Sequence, residues 1–244
     1  LLPRGDSASA ALWANVYDIV TRGLAEARQI PYLSVYQATK DLPKQALASD
    51  NLHGNVYVSG SSQPCVFNSA ALDFNYNVRN LHSMEQLDVV KRVVIDTVQA
   101  PDATVAPSGG SGTSADPFVV DKLPFTHHAT TDNAPSDAID TYPGCSSTAD
   151  ESGPEMYYTL VVTQTTPIRA MLFDRDAVDV DLHLLSGGKT GAACKARHDR
   201  MIERTLAPGT HAFVVDSFVA SGQALSGKYM LAIMRCDPTD TACQ

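Results

Sequence analysis

The segment Ser49-Asp50-Asn51-Leu52-His53-Gly54-Asn55 places a carboxylate and an imidazole three residues apart. An aspartate can hold a histidine in one tautomer. It also stabilises the imidazolium that forms when the ring takes a proton from a hydroxyl nucleophile. A three-residue offset on a tight turn lets both side chains face the same way, and Gly54-Asn55 supplies a turn signal directly afterwards. Asp50 and His53 are therefore candidates for the orienting carboxylate and the general base of a hydrolytic triad. Ser7 is the first serine to consider as the nucleophile. It lies 43 residues (50 − 7) before Asp50 and has no apolar strand ahead of it, so it reads as a helix N-cap.

The elements around the pair alternate between helix and strand signals. Ala8 to Gln29 carries Leu12, Val16, Ile19, Val20 and Leu24 on one helical face. Ile30-Pro31-Tyr32-Leu33-Ser34-Val35 reads as a short buried strand. A second helix is expected over Ser83 to Val98, with Met84, Leu87, Val90, Val94 and Val98 aligned. Such an order suits the end of a doubly wound α/β domain, whose chemistry sits on loops beyond the strands. Domain one is thus assigned to residues 1–100. Residues 101–116 are rich in Pro, Gly and Ser and read as a flexible linker.

Residues 117–244 have the grammar of an all-β domain. Strands are expected at Met156–Val162, Ile168–Phe173, Val180–Leu185, His211–Phe218 and Lys228–Met234, with turns at Gly153-Pro154, Gly187-Gly188 and Pro208-Gly209. A sandwich or jelly roll follows from that spacing.

Composition narrows the function classes. Hydrophobic residues make up 44% of the 244 and charged residues 18%, which supports packed cores. A formal net charge of −9 disfavours nucleic acid, whose phosphates would be repelled. No apolar run approaches the ~18 residues of a membrane span. No secretory apolar segment opens the chain, and Leu1-Leu2-Pro3-Arg4 reads as the interior of a protein or an end left by processing. The five cysteines lack metal-site spacing and suggest an oxidising compartment, with bridges expected for Cys236–Cys243 and Cys145–Cys194. Cys65 is then left free, or pairs with a cysteine on another segment.

Asp50-Asn51-Leu52-His53 matches the Asp-x-x-His block that precedes the last helix of SGNH, or GDSL, hydrolases. Leu2-Pro3-Arg4, the helix with Trp13, the Ile30-Pro31 segment and Phe74-Asn75-Tyr76-Asn77-Val78-Arg79-Asn80-Leu81 also look like the final portion of secreted bacterial members. The resemblance covers about residues 1–98. It implies His53 as general base, Asp50 as its orienting partner, ester hydrolysis through an acyl-enzyme and no cofactor. It also implies that the nucleophile block lies on a separate or missing N-terminal segment, so a companion polypeptide is expected to pack on residues 1–98. The substrate class would be an acyl ester, a lipid or an acetylated glycan.

The second half resembles the bacterial pre-peptidase C-terminal type of β module. The matching residues are Gly153-Pro154-Glu155-Met156-Tyr157-Tyr158, Val178–Leu185, Leu206-Ala207-Pro208-Gly209-Thr210, Val215-Asp216 and Gly227–Leu231. Some modules of that type bind calcium, and Asp174, Asp176, Asp179 and Asp181 offer hard oxygen ligands. Their spacing is not that of an EF-hand loop, and a solvated strand edge accounts for them equally. Asp199 and Asp216 read as turn or surface residues. His127-His128 reads as a solvated loop, and His82, Glu85 and Asp88 as a polar helix surface. Arg4-Gly5-Asp6 is taken as the charge balance of an exposed terminus. Two functions compete: a secreted bacterial serine esterase or lipase, and a non-catalytic secreted binding or adhesion protein carried by the β domain.

Overall fold

The computed structural model describes residues 1–98, 107–238 and 240–243. Two compact units divide the chain, Leu1–Ala103 and Thr104–Gln244.

In the first unit, helix α1 spans Ala8–Ala27. Ser7 starts it by accepting the Ala10 amide at 3.1 Å, an ordinary N-cap. The segment expected as a strand at residues 30–35 is not one. Pro31 lacks a donor for a sheet ladder, and Ser34 caps a short helix, α2 (Val35–Thr39), by accepting the Gln37 amide. Asp18 of α1 is buried and holds this segment down, accepting from Tyr32 Oη at 2.5 Å and Ser34 Oγ at 2.7 Å. A two-stranded hairpin follows, β1 (Val58–Ser59) and β2 (Ser61–Ser62). Helix α3 spans Asn75–Val94, beginning earlier than the sequence suggested.

No parallel sheet exists among the described residues of this unit, so the doubly wound α/β architecture expected for residues 1–100 is not what they form. One consequence is exposed apolar surface. Val16, Ile19, Leu47 and Val78 are buried, whereas Met84, Leu87 and Val94 of the expected α3 face lie open, Leu87 at 68% and Val94 at 71% exposure. The apolar face expected over Met84 to Val98 is therefore not a buried one: the helix ends at Val94, its buried residues are Asn75, Asn77 and Val78, and no layer of the described unit covers the rest.

The second unit is a β-sandwich. One sheet has five strands in the order β3 (Phe118–Val120), β5 (Glu155–Val162), β10 (Gly209–Ser217), β7 (Val180–Ser186), β8 (Cys194–His198). The other has four, in the order β4 (Phe125–Thr130), β13 (Lys228–Arg235), β6 (Thr166–Phe173), β9 (Met201–Leu206). Pairing is antiparallel except between β3 and β5. A small hairpin, β11 (Val219–Ala220) with β12 (Gln223–Ala224), completes it. Alternate residues of both sheets, among them Tyr158, Leu184, Phe213, Leu172 and Leu231, fill the space between.

The five-stranded sheet is covered on its outer face as well. Ile139 and Tyr142 pack there against Tyr157, Leu185 and Val214. The Cys145–Cys194 disulfide ties that covering segment to the start of β8, and Cys236–Cys243 closes the C-terminal loop. Burial on both faces explains why β7 and β10 read as nearly continuous apolar runs. Two bridges in one small unit are the state expected of an oxidising compartment. Cys65 is free and exposed.

Part of the expected linker, residues 101–106, lies outside the described residues. The part that follows is a built turn: the Ser111 amide donates to Asp116 at 2.9 Å and the Tyr157 amide donates to Gly112 at 2.8 Å. Gly112 has φ +81°, and a Cβ there would stand 2.6 Å from the Phe118 ring. Glycine that signals flexibility in composition is here required by close approach. None of the described helices is long and apolar enough to cross a membrane.

Candidate active site

Asp50 and His53 meet. The Asp50 carboxylate works at both oxygens. Oδ1 accepts the backbone amides of Leu52 and His53, each at 3.0 Å, and Oδ2 lies 2.7 Å from His53 Nδ1. One side chain therefore closes the turn and orients the ring. A carboxylate accepts only, so Nδ1 carries the proton and Nε2 is the nitrogen available as base. The hydrogen bonds from His53 and the two amides hold the Asp50 carboxyl well below the usual carboxylate range. Both side chains are exposed, His53 at 74% and Asp50 at 50%. That places the pair on an open surface rather than in a closed pocket.

The surroundings explain why the turn holds its shape. Leu47 and Gly54 form a β-bridge, and the Ala48 amide donates to the His53 carbonyl at 2.8 Å. Asn51 takes the left-handed region at φ +57°, which asparagine tolerates. Its carbonyl accepts the Gly5 amide at 2.9 Å. On the other side, Asn55 caps α3 from outside the helix: Oδ1 accepts the Asn75 amide at 2.8 Å and its carbonyl accepts the Tyr76 amide at 3.0 Å. This replaces the cap that Phe74 does not provide. Gly54 is needed because a Cβ would fall 2.4 Å from Asn75 Oδ1. The sequence reading missed the roles of Gly5, Asn55 and Asn75. The Gly54-Asn55 signal was visible only as a turn.

Other candidates resolve differently. His127 and His128 lie on β4, not in a loop. His127 packs edge-on against Phe118 and pairs with Tyr158 Oη at 2.8 Å, and burial pushes it down to about 4. His82 pairs with Glu85 at 2.8 Å and Arg92 with Asp88 at 3.0 Å along α3.

The four aspartates near β7 do not act together. Asp176 is exposed at φ +63°, Asp174 accepts the Val180 amide, and Asp181 is buried inside the five-stranded sheet, paired to Arg197 at 2.5 Å. The solvated edge expected there is therefore wrong for Asp181, because β7 is an interior strand. Asp216 is likewise not a surface residue. It is fully buried and accepts from Tyr142 Oη at 2.6 Å.

Among the described residues, potential metal ligands converge at Glu203, Asp240 and Cys243. Arg169 already pairs with both carboxylates and Cys243 is in a disulfide, which makes this a structural knot.

No family model and no curated protein matches the chain. Among the solved structures to which part of the chain bears a weak likeness are two from bacteria. One is PliG of Aeromonas hydrophila, a periplasmic inhibitor of g-type lysozyme, at 16% identity over 46% of this chain and 82% of that one, TM-score 0.31. The other is the pre-peptidase C-terminal domain of a Bacillus anthracis collagenase, at 12% identity over 46% and 89%, TM-score 0.29. Likenesses of that strength assign no activity to this chain.

Proposed function

We propose that the first unit is the base-bearing part of a secreted serine ester hydrolase of the SGNH type, followed by a pre-peptidase C-terminal-like β module. The observation that carries this reading is the Asp50–His53 pair: Nδ1 is engaged by a carboxylate at 2.7 Å on a turn braced from both sides. His53 Nε2 would take the proton of a serine hydroxyl as the oxygen attacks the ester carbonyl. Asp50 would stabilise the resulting imidazolium, and His53 would return the proton to the leaving alkoxide. The serine comes from a segment outside these residues, on a preceding stretch or a companion polypeptide. The uncovered apolar face of α3 and the openness of the pair support that division, because such a surface calls for a further layer.

The natively purified protein should hydrolyse p-nitrophenyl acetate and take a fluorophosphonate label on a serine outside the segment. His53→Ala should lower hydrolysis by at least about 100-fold. A single unlabelled 26.1 kDa species whose slow hydrolysis is unchanged by His53→Ala would end this reading.

A further inference from the structure

Four carboxyls meet beneath the segment that covers the five-stranded sheet. Asp216 on β10 stands directly opposite Glu155 on β5 and Asp181 on β7, and Glu151 joins them from the covering segment. All four side chains are buried. Like charges directly opposite on one sheet face repel, and burial strips away the water that would solvate them. One guanidinium faces them. Arg197 of β8 lies 2.5 Å from Asp181, 3.3 Å from Glu151 and 3.5 Å from the exposed Asp199. His183 Nε2 is 3.8 Å from Glu151 Oε1, but burial pushes the ring down and keeps it neutral. Tyr142 and Tyr157 stay neutral as well, because burial raises both. A single cation cannot balance four buried carboxylates, so protons remain on some of them.

The oxygens that lack donors show where one proton sits. Glu155 Oε1 accepts the Ser136 hydroxyl and the Ala138 amide, and Asp216 accepts the Tyr142 hydroxyl and the Ser217 amide. By contrast, Glu151 Oε2 and Asp181 Oδ1 are buried and meet no donor among the described residues. The two carboxyls lie within hydrogen-bond reach of each other, and each gives its other oxygen to Arg197. A proton on Glu151, donated to Asp181, satisfies both. Glu155 and Asp216 are similarly placed, but both belong to the sheet. The Glu151–Asp181 proton is the one of the two that joins cover to sheet.

We propose that the proton shared by Glu151 and Asp181 latches the covering segment onto the five-stranded sheet, and that its loss as pH rises lets residues 146–153 lift while the Cys145–Cys194 disulfide keeps them attached. Two backbone bonds would open with the latch, the Glu151 amide to the Asp140 carbonyl at 3.0 Å and the Val219 amide to the Asp150 carbonyl at 2.8 Å. Water would then reach Asp181 and His183. The sign follows from the closed state: burial and the neighbouring Asp181 hold Glu151 above the usual carboxylate range, up to about 8. Such a group favours closure fully below its open-state value, and that contribution drains away as pH rises toward 8. The device stands apart from the hydrolase reading, and ester hydrolysis neither supports nor harms it.

Hydrogen exchange of the full, oxidised chain tests it, with rates corrected for base-catalysed exchange. Protection of the Glu151 and Val219 amides should fall about tenfold per pH unit between about pH 5.5 and 7.5, the slope for one proton released per opening. Amides of β10 should keep their protection. Glu151→Gln replaces the shared proton with an NH2 that donates to Asp181 while its oxygen still accepts from Arg197. Its cover should stay protected with no pH slope. Asp181→Asn, which can donate to an ionised Glu151, should lose the slope too. The latch is refuted if the parent slope is below about twofold per unit, or if a tenfold slope persists in both variants. Should Glu151→Gln fail to fold, as lost β10 protection would reveal, the parent slope and Asp181→Asn decide.

Discussion

His183 lies flat against Tyr142, ring centroids 3.5 Å apart and planes within 9°, on the outer face of the five-stranded sheet. Both are fully buried, and neither ring nitrogen of His183 has a hydrogen-bond partner among the described residues. Around them stand Glu151, Asp181, Asp216 and Arg197. Burial pushes Asp216 up to about 10, Glu151 up to about 8 and His183 down to about 3.

The sign of the linkage differs for the two kinds of group. The raised carboxyls favour the folded state fully below their unfolded values, and that contribution is lost as pH rises toward 8–10. The depressed His183 contributes above its unfolded value and loses it as pH falls toward 3. Stability of the β unit should therefore peak in mildly acidic solution. Calorimetry across pH 4 to 9 checks this. Asp216→Asn, which keeps an acceptor for Tyr142, should flatten the alkaline fall. An equally steep fall in that variant would mean that Asp216 is not its source.

The two disulfides should differ in weight. Cys145 and Cys194 are 49 residues apart and Cys236 and Cys243 only 7. Loop-closure entropy then gives about 4 kcal/mol for the first and about 2.5 kcal/mol for the second. The first also anchors the segment covering Tyr157 and Val214. Paired Cys→Ala variants, unfolded in urea, should show the larger loss for Cys145/Cys194. The reverse order would place the cost in local packing rather than chain entropy.

Helix α3 offers a third check. Met84, Leu87 and Val94 are exposed, so replacing them removes little native packing. Leu87→Asp with Val94→Asp should reduce dye binding and self-association of the chain, with the Tm of the first unit within a few degrees of the parent. A collapse in Tm would show that these side chains are buried in solution.

The outcome for the sequence reading follows from range. Interactions within a few residues were legible: the Ser7 cap, the Asp50–His53 turn and the Cys236–Cys243 bridge each rest on local spacing, while Cys145–Cys194, 49 residues apart, was legible from cysteine chemistry alone. The five long strands were legible from their apolar runs. The strands Cys194–His198 and Met201–Leu206 were not, because Lys195, Arg197, Glu203 and Arg204 break the pattern on edge strands. The segment at 30–35 misled because a run of apolar residues is ambiguous when a proline and a capping serine interrupt it. The burial of Asp181 and Asp216 depends on residues 139–151 folding over the sheet, which no local window contains. Gly5 is likewise explained only by Asn51, 46 positions (51 − 5) later.

Asp50→Asn gives the sharpest test of the pair itself. An amide can still accept the Leu52 and His53 amides at Oδ1, so the turn should survive. Its other end is an NH2 donor, which faces Nδ1 and forces the proton to Nε2, the wrong tautomer for a base. Hydrolysis of p-nitrophenyl acetate by the protein with its serine-bearing segment should fall by about 10³–10⁴ in kcat with KM little changed. The Tm should barely move, because the pair is exposed. A loss of Tm matching the loss of rate would assign Asp50 to holding the turn alone, and His53 would lose its claim to an oriented imidazole.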